Sequence, residues 1–103
     1  MRDFYNAPRY AVYIMTNEYH TVLYAGVTNN IFRRSAEHKG KLHPNSFTAK
    51  YNLTKLVYYD ATDSIGGVIE MEKCIKEWSR AKKIALITER NPKWNDLSDE
   101  LGW

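Results

Sequence analysis

Apolar positions fall into three short runs and two longer, helix-periodic ones. Tyr10 to Thr16 (Tyr-Ala-Val-Tyr-Ile-Met-Thr) is rich in β-branched and aromatic residues and predicts a strand. Asn17-Glu18-Tyr19-His20 is polar and turn-like, and Thr21 to Gly26 predicts a second strand, so the two form a hairpin. With a four-residue loop, Thr16 faces Thr21 and Tyr13 faces Tyr24, their Cβ atoms roughly 5 Å apart on one sheet face. A slip of one residue would put the two phenols on opposite faces. Thr28-Asn29-Asn30 offers N-cap side chains for a short helix from about Ile31 to Lys39, with Gly40 as its stop. Lys41 to Tyr51 reads as loop or a short turn, and Lys55 to Ala61 as a third strand. Asp63-Ser64 caps a helix from about Ile65 to Ala81, and a second helical piece, roughly Ala81 to Glu89, ends before Asn91-Pro92. The tail from Lys93 to Trp103 is polar apart from Trp94, Leu97 and Trp103 and is expected to pack loosely.

Composition narrows the class. The chain has 103 residues, which gives one domain over residues 1–103, with its core at about 8–91 and a polar tail at 92–103. Hydrophobic residues make up 44%, enough for a core, yet no run approaches the roughly 20 apolar residues of a spanning helix. Met1 to Arg9 lacks an apolar stretch of the kind a secretory signal carries, and Cys74 is a lone cysteine, so the expected setting is the reducing cytoplasm. A net charge of +3 is compatible with nucleic acid but also with many ordinary domains. His20, His43 and Cys74 do not have zinc-ligand spacing, and Gly66-Gly67 lacks the rest of a phosphate loop.

The candidate chemistry lies in a few side chains. The hairpin brings together Tyr13 and Tyr24, and the following helix puts Arg34 and His38 four residues apart on one face. Two phenols, a guanidinium and an imidazole suit a phosphodiester. Ile65, Val68, Ile69 and Ile75 define an apolar stripe, and at 100° per residue Glu72 falls in its middle. An inward carboxylate is costly without a cation, which leaves a metal, Arg34 or Lys76 as its partner. Each residue also has a plainer reading. Paired strand tyrosines stabilise sheets, helix arginines and histidines are mostly solvated, and Glu72 could meet water or a lysine at the sheet edge. The basic run Lys73, Lys76, Arg80, Lys82, Lys83 is either a solvated face or a track for phosphates.

Taken together, these residues resemble the GIY-YIG nuclease domain. Ala11-Val12-Tyr13 stands for the first signature element and Tyr24-Ala25-Gly26 for the second, with Arg34, His38, Glu72 and Asn91 at the family's remaining polar positions. Phe47-Thr48 with Tyr51, Glu72 to Trp78 and Asn91 to Leu97 are most similar to the small, stand-alone, UPF0213-like bacterial branch. Ala11, Val12 and Ala25 depart from the signature text but stay small or apolar.

The resemblance implies an α+β fold, a small three-stranded antiparallel sheet flanked by helices, that hydrolyses DNA phosphodiesters with one divalent ion, Mg²⁺ or Mn²⁺. It implies Glu72 as the metal ligand and Tyr13, Tyr24, Arg34, His38 and Asn91 as the catalytic group. Arg34 would grip the scissile phosphate. Tyr13 would be the general base, although an unperturbed phenol with pKa about 10 is barely ionised near neutrality. His38 would relay the proton, Tyr24 would orient water or phosphate, and Asn91 would anchor the last helix. A role in DNA repair or recombination follows from the same likeness. The alternative is a catalytically inactive nucleic-acid-binding module. With no separate DNA-binding domain in the sequence, specificity is expected from DNA structure, a homodimer or a partner protein.

Overall fold

The computed structural model describes residues 10–31 and 47–98. They form strands β1 (Tyr10–Thr16), β2 (Leu23–Thr28) and β3 (Lys55–Thr62), a one-turn helix α1 (Phe47–Lys50), and helices α2 (Ile65–Glu77) and α3 (Arg80–Arg90). The sheet is antiparallel in the order β2-β1-β3. β1 is central, and Ala11 through Thr16 are all buried. That explains its nearly continuous apolar run: each side chain meets a core, whichever way it points. Ala11, Tyr13 and Met15 pack with Ile31, Leu53 and Leu56 on one face. Val12 and Ile14 pack with Val57, Tyr58, Val68, Ile75 and Ile87 on the other, under α2 and α3.

The hairpin register differs from expectation. Thr16 pairs with Leu23, Met15 with Tyr24 and Tyr13 with Gly26, so β2 begins two residues later than the pattern suggested. The cause is Asn17. Its Oδ1 accepts from the backbone N–H groups of Thr21 (2.8 Å) and Val22 (3.2 Å), and its Nδ2 donates to Thr21 Oγ1. Thr16 Oγ1 donates to the Val22 carbonyl at 2.7 Å. Side-chain bonds thus hold Thr21 and Val22 in the loop, which has six residues rather than four.

The helices differ from expectation in their junction. Ser64 caps α2 by accepting from Gly67 N, but α2 stops at Glu77, because Ser79 caps α3 by accepting from Lys82 N. Val68 and Ile75 are buried, whereas Ile65 and Ile69 are 52% and 41% exposed. The inward stripe therefore runs through Val68, Met71 and Ile75, and Glu72 lies on its flank rather than at its centre.

The described part of the tail, residues 93–98, does not pack loosely. Leu97 joins the first core cluster and Ser98 is fully buried. β3 carries an irregularity at its pairing with Ile14/Met15. There Leu56 N donates to Asp96 Oδ1 (3.2 Å), which also accepts from Ser98 N and Ser98 Oγ. Trp94, with φ of 53°, stacks on His20, with φ of 57°, at 4.8 Å between ring centroids. Arg80 donates to the His20 carbonyl, and Lys55 Nζ meets His20 Nε2 at 2.9 Å. Tail, hairpin loop and α3 are pinned together here. Burial, then the Lys55 charge, holds the His20 imidazole below its ordinary pKa of 6.5.

Candidate active site

Tyr13 projects from β1, where it is 2% exposed. Its phenol lies across Gly26 of the neighbouring strand: a Cβ at position 26 would stand 2.6 Å from the Tyr13 hydroxyl. A glycine there is a condition of that ring's placement. Tyr24 lies diagonally from Tyr13 rather than directly opposite. A register shift of two preserves the face, and the rings remain neighbours, with centroids 6.4 Å apart and planes tilted by 46°.

β2 is an edge strand of the described sheet, so Tyr24 has a second neighbourhood. Its ring packs with the first core cluster and also borders a cleft of about 360 Å³ against α2 and α3, together with Ile75, Lys76 and Lys83. Lys76 donates to Glu72 Oε1 at 2.5 Å, one helical turn away. That hydrogen bond, aided by the charges of Glu72 and Tyr24 and opposed by burial, holds the Lys76 ammonium above the ordinary lysine range. The Glu72 side chain is 22% exposed and that of Lys76 is 54% exposed, so the pair faces solvent and is not sealed. An unbroken chain of neighbours therefore runs Tyr13–Tyr24–Lys76–Glu72.

Asn91 stands elsewhere. It ends α3 and is 5% exposed. Its Nδ2 donates to the carbonyls of Val57 (3.1 Å) and Asn95 (2.9 Å), and its Oδ1 accepts from Asn95 N. These bonds tie the last helix to β3 and the tail. Arg34 and His38 lie outside the described residues, as does the expected helix beyond Ile31. Thr28 Oγ1 accepts from Asn30 N just before that point.

Among the described residues, no three His, Cys, Asp or Glu side chains converge on a metal-sized site. What Glu72 offers is one solvent-reached carboxylate. This donor set fits a hard, mostly hydrated cation such as Mg²⁺ and is unlike an N/S cage for zinc. The basic run noted in the sequence contributes Lys76 and Lys83 to the cleft. The sequence offered Lys76 as one of three cation partners for Glu72, and among the described residues it is paired with that carboxylate.

A family model described as the GIY-YIG catalytic domain matches residues 9–85. A UPF0213 protein of Syntrophus aciditrophicus (strain SB) is 40% identical over 70 residues, 68% of this chain and 79% of that one. The solution NMR structure of a UPF0213 protein from Bacillus halodurans aligns with a TM-score of 0.55 at 24% identity. The alignment covers 84% of this chain and 90% of that one, a likeness of fold. No helix among the described residues is long and apolar enough to cross a membrane.

Proposed function

This chain belongs to the GIY-YIG nuclease family, and on that footing we propose that it is an endonuclease that hydrolyses DNA phosphodiesters with one Mg²⁺ or Mn²⁺ ion. The observation that carries the reading is the continuity from buried Tyr13 through Tyr24 and Lys76 to Glu72, the last two of which face solvent.

Hydrolysis needs an attacking water, neutralisation of the phosphoryl oxygens and help for the leaving oxygen. Glu72 would hold the ion, which when bound supplies charge neutralisation and assists the leaving group. Tyr13 takes the proton of the attacking water. Its buried seat across Gly26 fixes the phenol's direction, and this orientation substitutes for free collision. Tyr24, at the mouth of the cleft, orients the water or a phosphate oxygen. Arg34, a permanent cation with a forked donor set, grips the scissile phosphate, and His38 passes the proton outward. Asn91 acts at a distance by holding α3 to β3. A cytoplasmic setting, a role in repair or recombination, and specificity from a homodimer or partner belong to the same proposal.

The test is a cleavage screen with plasmid, flap, branched and single-stranded DNA, each with Mg²⁺, Mn²⁺ or chelator. Metal-dependent cleavage that Glu72→Gln and Arg34→Ala each reduce by more than about 10³-fold, with folding intact, supports the reading. Cleavage that survives Glu72→Gln removes Glu72 as the metal ligand. Because Lys76 already occupies Glu72, a DNA-binding module without turnover is the second reading. Salt-sensitive DNA binding with no cleavage under any metal condition would establish it.

A further inference from the structure

The cleft beside Tyr24 is floored by Ile14, Leu23 and Ile75, and its charged lining residues are Lys76 and Lys83. Among the described residues, no carboxylate lines it. Glu72 stands just outside, reached through Lys76, whose ammonium is bonded to its carboxylate. Lys76 therefore stands between two destinations: the carboxylate it now holds, and whatever anion enters the cleft. The same carboxylate is the only protein group assigned to the divalent ion, so Lys76 and the ion compete for one ligand. An ion pair this exposed is weak and exchangeable. A nucleic-acid phosphate in the cleft would meet Lys76 and Lys83 together, away from part of the competing water, and would be the stronger partner.

We propose that Lys76 is a substrate-operated latch: without DNA it holds Glu72, and a strand phosphate seated in the cleft by Lys76 and Lys83 draws it off, freeing the carboxylate for the ion. The proposal rests on the nuclease reading and adds to it a phosphate subsite and an order of assembly. Lys76 is a positioning residue, acting through Glu72. Its consequence is that metal and DNA bind cooperatively, which would restrain the site from holding metal before substrate is present.

The experiment is a double-mutant cycle on binding alone, with a fluorescent DNA duplex and chelator present, read by anisotropy at several salt concentrations. Wild type, Glu72→Gln, Lys76→Met, the double variant and Lys83→Met are compared. Glu72→Gln is expected to tighten DNA binding by about fivefold when Lys76 is present and by less than about twofold in the Lys76→Met background, and Lys83→Met to weaken binding while keeping the Glu72→Gln gain. An equal gain in both backgrounds would mean that Glu72 acts only as a nearby negative charge, and the latch is then wrong. Without DNA, Lys76→Met is expected to bind Mn²⁺ several-fold more tightly than wild type, read by electron paramagnetic resonance; unchanged or weaker binding also overturns the latch. Should wild type show no salt-sensitive DNA binding, the nuclease reading falls and the latch with it. Binding without coupling removes the latch alone.

Discussion

Two polar regions of this small fold differ in what their bonds are for. At the C-terminal end of α3, Asn91 directs both ends of its amide to backbone groups of β3 and the tail, and Asp96 Oδ1 accepts three bonds. Asn91 is buried and Asp96 half-buried, and both are committed to the protein. At the edge of β2, Glu72 and Lys76 are held, among the described residues, by one another's charge on a solvent-facing turn, next to a phenol and a cleft. The first arrangement is stiff because leaving any member unsatisfied costs desolvation energy. The second can be exchanged at little cost, as the proposed admission of an ion and a phosphate would require. Residues of similar polarity thus differ in how firmly they are committed, according to whether their partners are backbone groups or another mobile side chain.

The contrast is broken most severely at the phenols. Tyr13→Phe is expected to lower single-turnover cleavage by about 10²–10⁴-fold, the usual range for losing a general base, with DNA affinity kept. Tyr24→Phe should cost less; a loss as large or larger would exchange the two roles. Both variants should stay folded, as read by circular dichroism. Asn91→Ala should do the opposite. It strands the Val57 carbonyl and the Asn95 N–H, and is expected to cost about 2–3 kcal/mol in urea unfolding while the folded fraction cleaves normally. Asp96→Ala should follow the same pattern at about 1–2 kcal/mol, by freeing the Leu56 amide beside the strand irregularity.

The smallest effect is a titration. His20 should titrate below 6.5 by NMR, and Lys55→Met should move it upward. Since folding lowers this pKa, the unfolded chain binds the proton more readily. Stability is therefore expected to fall as pH drops below about 6.5, and to level off once the folded-state value is passed. A His20 that titrates at or above 6.5 would remove the Lys55 contact from the account.

What the sequence disclosed was what neighbouring residues determine. β1, β3 and the Ser64 cap need only a few adjacent side chains, and they lie where the pattern put them or within a residue of it. The hairpin register did not, because Asn17 bonds inside its own loop, and nothing in apolar spacing records that. The tyrosine pairing survived the error because side-chain direction repeats every two residues, so a shift of two is harmless to the face. The break between α2 and α3 did have a local signal, Ser79, which the continuous apolar period obscured. The docking of the tail had none. Asp96 is a surface-type residue until the amide of Leu56, forty positions away, needs an acceptor.

One consequence concerns heat. Among the described strands, β1 is clasped on both sides, whereas β2 has a strand neighbour on one side only. Edge strands part before central ones. Peeling β2 away would carry Tyr24 and Gly26 off Tyr13 while β1, β3 and the helices still hold one another. Catalysis should then fade at temperatures where circular dichroism reports an intact molecule, and return on cooling: a reversible silence that precedes melting.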